Sequence, residues 1–269
     1  MQVYRGMDIG TDKPSARDRK AVAHHLIDIV PPSRNFSVFD YRERALKAIS
    51  AIVRKGKLPI VCGGSGLYVR ALIQGLDRMP PPDLKLRSKL ESELAVKGAE
   101  ALFAKLKKID PKRAAEIDAK NPRRIIRALE VAHNLKNSPK HKAEPSLSDL
   151  GYRPVVFGIR RERQELYQAI GRRVDQMFRR GLAGEAKKLF RTRISMTASQ
   201  ALGYREIRSG GDGERLREEI KRNTRHFAKR QLTWFKKEPE IHWIDASLKD
   251  TPRNLSLRIQ RLFATRATD

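Results

Sequence analysis

The pattern of apolar and polar residues around position 60 predicts the element around which the rest of the sequence is organised. Residues 58–62 form a short, continuously apolar run, which is typical of a strand buried in a parallel sheet. A glycine-rich turn at residues 63–66 follows, and apolar residues then recur at helical spacing over 67–76. Gly75 lies where a helix commonly ends. The pattern therefore predicts a strand–turn–helix unit, although glycine-rich turns of this kind also serve as simple connections.

The residues before this unit continue the alternation of strand and helix. Residues 27–30 form a short apolar run that two prolines end, and Ser37 begins a predicted helix. Asp40, three residues after Ser37, completes the pattern of a capping box, and Gly56 ends the helix. Alternation of this kind is typical of an α/β protein with a doubly wound parallel sheet.

Residues 84–149 have a different character, because four helices are predicted there without a strand between them. The first two form a long stretch divided near Gly98, and an Asp-Pro pair at 110 and an Asn-Pro pair at 121 start the other two. These residues are therefore predicted to form a helical insertion domain. The α/β core is expected to be discontinuous and to comprise residues 1–83 and 150–269.

The carboxy-terminal part of the sequence returns to strands and helices. Short apolar runs predict strands at residues 154–159 and 241–244. Helices are predicted at residues 162–180, in a short stretch ending at Phe190, and at residues 197–206, 214–237 and 255–263. The longest of them has an apolar face and a basic face. The apolar face carries Leu216, Ile220, Phe227 and Trp234, and the basic face carries Arg222, Arg225, Lys229 and Lys236.

The net charge predicts a polyanionic partner. The 269 residues contain 58 Lys and Arg against 31 Asp and Glu, which gives a formal net charge of +27. Nucleic acid is the first partner that such a balance predicts, and a generally basic, solvated surface is the alternative. The single cysteine excludes a disulfide framework, and no apolar run reaches the ~18 residues that span a bilayer. A cytoplasmic protein without a membrane partner is expected.

Patterns for metal binding and for a cysteine nucleophile are weak. The six histidines are scattered without the spacing of metal ligands, so no protein metal site is predicted. Cys62 is expected to be buried at the end of a strand and to behave as a small hydrophobic residue. No GxxxxGK(S/T) phosphate-binding sequence occurs in these 269 residues.

One segment of the longest predicted helix suits RNA binding. Residues 229–234 read Lys-Arg-Gln-Leu-Thr-Trp and combine cations, an amide and an aromatic ring. Such a mixture can bind backbone phosphates and pack against a base or a sugar. Guanidinium groups suit phosphate because their planar fork meets its oxygens in pairs. A solvated helix face with Trp234 in the core is the alternative, which spacing alone leaves open.

Eight motifs occur in order along the whole sequence. They are MQVYRGMDIGTDKPS at 1–15, HHLIDIVPP at 24–32, FSVFDYRERA at 36–45, GGSGLYVRALIQGL at 63–76, NPRRIIRALEV at 121–131, RVDQMFRRGLAGEAKKL at 173–189, QALGYRE at 200–206 and KRQLTWFKK at 229–237. Together they resemble the motifs of the tRNA dimethylallyltransferase (tRNA isopentenyltransferase) family. So many motifs in one order are highly specific.

The resemblance implies a fold and an activity. It implies a P-loop-NTPase-like parallel sheet with a helical insertion and a tunnel between them. Dimethylallyl diphosphate, accompanied by Mg²⁺, enters one end of the tunnel, and a flipped adenosine from the anticodon stem-loop of tRNA enters the other. The dimethylallyl group is then transferred to the N6 amine of that adenosine. A monomer is expected.

The resemblance also implies roles for individual residues. Ser65 stands where the family has a threonine that contacts the target nucleotide and relays its proton, and Arg173 stands where an arginine holds the diphosphate. Ala169 replaces a further arginine of that pattern. Other segments that the resemblance implies to contact tRNA contain Met1, Gln2, Arg87, Arg123, Arg124, Ile125, Ile126, Arg127, Gln200, Ala201, Leu202, Gly203, Tyr204, Arg205, Lys229, Arg230, Gln231, Leu232, Thr233, Trp234, Phe235 and Lys236.

The start of the sequence departs from the family pattern. In the family, a GPTxxGK(S/T) loop and an Asp-Ser dipeptide precede the residue that is Met1 here, and that Asp is the general base. We therefore expect codons upstream of Met1 to encode both, with two strands, one of them a neighbour of residues 58–62. The 269 residues alone are not expected to transfer the group. A tRNA-binding remnant without chemistry is the alternative, and a nucleotide kinase of the same superfamily is disfavoured by the motifs at 200–206 and 229–237.

Overall fold

Helices dominate the computed structural model, which describes residues 1–77, 79–80, 83–135, 143–210 and 213–266. The elements are α1 Ala16–Ala21, α2 Val38–Val53, α3 Gly66–Ile73, α4 Leu84–Ile109, α5 Pro111–Glu116, α6 Pro122–Leu135, β1 Val156–Arg161, α7 Arg163–Arg179, α8 Leu182–Phe190, α9 Met196–Ser199, α10 Tyr204–Arg208, α11 Gly213–Phe235, β2 Ile241–Ala246 and α12 Pro252–Arg266. The chain divides into two units. The first contains Met1–Gln74 and Leu147–Asp269, and the second contains Gly75–Ser146.

The sheet of the first unit consists of β1 and β2, which pair in parallel. Val156 lies opposite Ile241, and the register continues to Arg161 opposite Ala246. Both predicted strands are confirmed, each ending two residues later than the sequence pattern indicates. The α/β class is therefore confirmed, but the sheet has two strands among the described residues, where a larger doubly wound sheet is predicted.

The predicted strand at residues 58–62 is wrong. These residues form no strand, and the exposed fractions of Leu58, Ile60 and Val61 are 61%, 81% and 51%. An apolar run becomes a strand only when another strand satisfies its backbone, and no described strand lies beside this one. Cys62 is accordingly exposed rather than buried. Residues 58–62 are called the apolar segment below.

The largest core of the first unit joins its amino-terminal residues to α8 and α10. Tyr4, Met7 and Val30 pack with Leu182 and Tyr204, and all five are almost fully buried. A single parallel bridge joins Tyr4 to Val30, so residues 27–30 contribute one bridge where an apolar run predicts more. This core places the first thirty or so residues against elements that lie about 180 residues later in the chain.

Two smaller clusters pack α2 against α3 and α7 against α11. Ser37 caps α2 with a full capping box to Asp40, as predicted. The helix then packs Ala45 and Ile49 against Leu72 of α3. The second cluster joins α7 to α11 through Ile170, Val174, Leu216 and Ile220.

The second unit contains its own helical core. Leu90, Leu102 and Leu106 of α4 pack against Ile125 and Leu129 of α6. The predicted break at Gly98 is confirmed, because this residue has a φ of 77° inside α4, a backbone region that favours glycine. The predicted helix starts near residues 110 and 121 are confirmed by α5 and α6. Within the described parts of both units, no helix is long and apolar enough to cross a membrane.

Candidate active site and nucleic-acid interface

Ser65 presents an exposed hydroxyl at the start of α3. Its backbone carbonyl accepts hydrogen bonds from the amides of Tyr68 and Val69, both over 3.0 Å, and so begins the helix. Its side chain makes no capping hydrogen bond, although serine is a preferred capping residue. The hydroxyl is therefore not used by its own helix and is accessible to a substrate.

The turn at residues 63–66, called the glycine turn, is held by two side chains of α11. Gln231 Nε2 donates to the Gly64 carbonyl over 2.8 Å. The indole of Trp234 packs so closely on Gly66 that a Cβ there would overlap the ring. The role predicted for glycine, close approach of the backbone to another group, is thus filled here by contacts within the protein.

Arg70 extends this contact between α3 and α11. Its guanidinium lies 4.7 Å from the centroid of Trp234 and bonds Glu238 over 2.5 Å, and Gln74 bonds the same carboxylate over 3.1 Å. A cavity of about 160 Å³ remains beside these side chains. Ligand sites usually offer at least about 300 Å³, so this region is a packed junction rather than a substrate pocket.

The outer surface of α11 is basic. Lys229 and Arg230 are exposed, as is Lys236 directly after the helix, whereas Leu232 and Phe235 are half-buried. The hydroxyl of Thr233 is bonded to the Lys229 carbonyl over 2.9 Å. Exposed cations on one helix can neutralise the phosphates of a nucleic acid backbone. The cations of this helix therefore face solvent, while Trp234 is half-buried against the glycine turn. RNA binding by this helix stays a prediction.

Two of the predicted site residues, Gln2 and Arg173, are connected through Asp12, which the sequence analysis missed. Gln2 Nε2 donates to the carbonyls of Thr11 and Asp12 over 3.1 and 3.0 Å. The Asp12 carboxylate in turn lies 3.3 Å from Arg173 Nε and 3.5 Å from an Arg180 nitrogen. Arg173, predicted to hold a diphosphate, is exposed and already has an anionic partner.

Glu185 is a second residue that the sequence analysis missed. Its carboxylate accepts hydrogen bonds from the amides of Asp8, Ile9 and Gly10 over 2.9–3.1 Å, and from the Tyr204 hydroxyl over 2.5 Å. Burial, with the bond to Glu185, raises the pKa of Tyr204, so its hydroxyl stays protonated as a donor. No local pattern relates residues so far apart in the chain.

Lys13 forms further polar contacts with the amino-terminal part of the chain. Its buried ammonium bonds the Tyr4 carbonyl over 2.6 Å and the carboxylates of Asp8 and Asp28 over 2.6 and 2.5 Å. Burial disfavours the charged form of Asp28, but the hydrogen bonds and charges of Lys13 and Arg19 outweigh it and lower the pKa of this carboxyl. Residues 1–13, called the amino-terminal loop, are therefore fixed by polar contacts as well as by the core.

The structure corrects part of the predicted tRNA-contacting segment at residues 200–205. Ala201 and Tyr204 are buried, so their side chains belong to the core and are not accessible to RNA. Gly203 is also buried, with a φ of 87° that begins α10. Gln200 and Leu202 are half-buried, and only Arg205 of this segment is exposed.

The second unit needs a similar correction. Ile125 and Ile126 are buried in its core and therefore serve packing rather than RNA contact. Arg87 and Arg127 both bond the fully buried carboxylate of Glu130, over 2.7 and 3.3 Å, so part of their charge is already neutralised. Arg123 and Arg124 are exposed, as is Met1 in the first unit.

The described residues do not fit a metal cage built by protein side chains alone. Among them, no three His, Cys, Asp or Glu side chains are grouped so that they could hold a metal ion. Mg²⁺ usually binds through one or two carboxylates together with substrate phosphates. The predicted Mg²⁺ stays a prediction.

The fold and the site define an α/β protein in which a basic helix holds a glycine turn with an exposed hydroxyl. A family model described as IPP transferase matches residues 2–238. The chain belongs to this family of prenyltransferase enzymes. The predicted family is therefore confirmed, whereas the P-loop-like sheet, the segment upstream of Met1, the cytoplasmic location and the monomeric state stay predictions.

Curated relatives and solved structures cover most of the chain. The tRNA dimethylallyltransferase 1 of Pelobacter propionicus is 45% identical over 253 residues, which cover 91% of this chain and 82% of that protein. The tRNA dimethylallyltransferase of Acetivibrio thermocellus is 42% identical over 98% of this chain and 87% of its own length. The tRNA isopentenylpyrophosphate transferase of Bacillus halodurans has a similar structure, with a TM-score of 0.68 and 41% identity over 98% of this chain and 84% of that one.

A more distant structure shares the fold. A eukaryotic dimethylallyltransferase acting on tRNA matches with a TM-score of 0.70 and 22% identity, covering 99% of this chain and 71% of that chain. At this identity the likeness concerns the fold alone.

Proposed function

We propose that this chain transfers a dimethylallyl group from dimethylallyl diphosphate to the N6 amine of the adenosine beside the anticodon of tRNA. Family membership and the names of the relatives support this reaction. The structural observation that carries the proposal is the exposed hydroxyl of Ser65, presented by a turn that Gln231 of the basic helix holds.

The reaction sets clear demands on the site. A bond forms between N6 and the allylic carbon, the bond from that carbon to the diphosphate oxygen breaks, and N6 loses a proton. The protein must hold N6 in line with the carbon and stabilise the charge that develops on the leaving diphosphate. A base extruded from the RNA stack gives access to N6.

Two side chains are proposed for these tasks. Ser65 is proposed to hydrogen-bond the target adenosine and to pass on the N6 proton. Arg173 is proposed to hold the diphosphate, which would replace Asp12 as its anionic partner. The exposed Lys229 and Arg230 are proposed to bind tRNA phosphates.

The test measures two quantities for each variant: the rate of transfer of labelled dimethylallyl to tRNA, and the affinity for tRNA. We expect Ser65→Ala to lower turnover by about 10²–10⁴-fold, the usual effect of removing a proton-transfer group, with tRNA affinity unchanged. Ser65→Thr keeps the hydroxyl and is the matched control, which we expect to retain turnover. Equal turnover in Ser65→Ala would place the chemistry elsewhere.

The same assay separates the enzyme from a tRNA-binding protein without chemistry. Affinity is expected to fall linearly on a plot of log K against log salt, and Lys229→Ala is expected to flatten the slope by about one unit. Transfer of label by the 269 residues would contradict the expectation from the sequence that they are inactive by themselves. Binding of tRNA in this way without transfer would support the tRNA-binding protein instead.

A further inference from the structure

We propose that the inner face of α11 positions the glycine turn, so that Gln231 and Trp234 act on the reaction through Ser65 rather than by contacting tRNA. These two side chains are called the α11 clamp. The inference rests on the proposed function and assigns Gln231 and Trp234 a role that the resemblance does not imply.

Gln231 fixes the backbone on one side of Ser65. Its amide nitrogen donates to the Gly64 carbonyl over 2.8 Å. That carbonyl and the Ser65 amide belong to one planar peptide unit, so holding the carbonyl also sets the orientation of the backbone that carries the hydroxyl. A Cβ on residue 64 would overlap the Gln231 amide, and glycine at this position therefore permits the hydrogen bond.

Trp234 fixes the backbone on the other side. Its indole packs on Gly66, where a Cβ would overlap the ring. The guanidinium of Arg70 lies over the indole at 4.7 Å, and Glu238 bonds Arg70 over 2.5 Å. The indole nitrogen is buried and has no hydrogen-bond partner among the described residues, so packing and the Arg70 guanidinium hold the ring.

The α11 clamp and the basic outer face divide the helix between two tasks. The amide of Gln231 and the ring of Trp234 are committed to the glycine turn, while Arg222 and Lys229, on the opposite side of α11, remain exposed. A rigid helix that binds RNA by its outer face and holds the turn by its inner face keeps the Ser65 hydroxyl in register with the bound RNA. Gln231 and Trp234 are thus positioning residues.

The glycine turn supplies matched variants for a test. Gly64→Ala places a methyl group on the Gln231 amide, whereas a Cβ at Gly63 meets no atom within 4 Å. The chain has two tryptophans, so Trp243→Phe leaves Trp234 as the single fluorescent reporter of the α11 clamp. All variants are made in the full chain with this background.

The experiment compares acrylamide quenching of Trp234 with tRNA affinity. We expect Gln231→Ala and Gly64→Ala to raise the quenching constant about twofold, because the turn opens locally, and Gly63→Ala to leave it unchanged. The double variant Gln231→Ala/Gly64→Ala is expected to add nothing to Gln231→Ala, since both changes remove one contact. Affinity for tRNA is expected to stay unchanged, and kcat to fall without a change in KM for tRNA.

One outcome would overturn the inference. If Gln231→Ala weakens tRNA binding by about tenfold or more, equivalent to about 1.4 kcal/mol, while Trp234 quenching stays unchanged, Gln231 contacts RNA directly. Quenching and affinity are measured without turnover. Failure of this inference is therefore distinguishable from failure of the proposed reaction.

Discussion

Two regions of the first unit differ in how many contacts fix them. One is the amino-terminal loop, and the other comprises the apolar segment and the glycine turn. Lys13, the last residue of the amino-terminal loop, is buried and bonds the Tyr4 carbonyl of the same loop. The Glu185 carboxylate accepts hydrogen bonds from three backbone amides of the loop. The apolar segment has no strand partner among the described residues, and the glycine turn after it is held by Gln231 and Trp234. Both regions carry predicted site residues, yet only the first is fixed by many contacts.

This difference in contacts distinguishes residues that stabilise the fold from residues that position the proposed reactive group. Many contacts converge on the amino-terminal loop, so a change there is expected to affect the whole first unit. Few contacts hold the glycine turn, so a change there is expected to act mainly on Ser65 and to cost less unfolding free energy than a change in the amino-terminal loop. Four substitutions or conditions test this contrast, in order of decreasing effect.

The largest effect is expected for Glu185→Ala. The substitution leaves three backbone amides and the Tyr204 hydroxyl without their acceptor, and unsatisfied donors make this cost about 2–4 kcal/mol of unfolding free energy. Denaturant unfolding measures the loss. Glu43→Ala removes an exposed i,i+4 ion pair with Lys47 and is the control, expected to cost at most about 0.5 kcal/mol. Equal losses of unfolding free energy in Glu185→Ala and Glu43→Ala would contradict the proposed role of Glu185 in fixing the amino-terminal loop.

A smaller effect is expected for Gly66→Ala. The added methyl overlaps the Trp234 ring, and overpacking of this kind costs about 1–3 kcal/mol. The loss is measured by thermal unfolding, with Gly63→Ala as the control because its Cβ meets open space. If both variants unfold alike, the indole does not pack on the turn.

The Asp28 carboxyl predicts a pH dependence of the amino-terminal loop. Its pKa is lowered from 3.8 in the folded protein, so its contribution to stability is complete above that value and is lost as the pH falls through the folded pKa. Asp28→Asn removes the charge and suits the backbone, whose φ of 55° asparagine tolerates. The difference in unfolding free energy between wild type and Asp28→Asn is expected to shrink below about pH 4. A constant difference would contradict the pairing of Asp28 with Lys13 and Arg19.

The smallest effect is expected in the apolar segment. Ile60 has an exposed fraction of 81%, so Ile60→Ser removes little buried surface and is expected to change the unfolding free energy by less than about 0.5 kcal/mol. Ile49, which is buried under α3, is the matched position. Ile49→Ser is expected to cost several times more in the same denaturant titration. A large loss for Ile60→Ser would mean that this segment is packed in solution.

Local signals predicted the helices well. The capping box at Ser37 and the glycine break at Gly98 both depend on neighbours within four residues, and the structure has both features. The strand predicted at residues 58–62 failed because a strand needs a hydrogen-bonding neighbour that its own residues do not specify. Periodicity identifies a pattern suited to pairing, but it does not supply the partner.

The candidate site was predicted only in part, for a related reason. The exposed hydroxyl of Ser65 and the exposed cations of α11 follow from motif and helix periodicity. The inward directions of Tyr204 and Ile125 do not, because membership of a motif does not state which way a side chain points. Glu185 and Asp12 escaped the sequence analysis because the bonds of Glu185 to the amino-terminal loop and of Asp12 to Arg173 join residues more than 150 positions apart.

Amide hydrogen exchange of the free protein tests the contrast between the two regions most directly. The amides of Ile9 and Gly10 donate to Glu185 over 2.9–3.1 Å, whereas none in the apolar segment has an acceptor in the described structure. We expect residues 58 and 60–62 to exchange nearly as fast as an unfolded chain, and Ile9 and Gly10 at least about a hundredfold more slowly. Equal protection of the two regions would contradict the account.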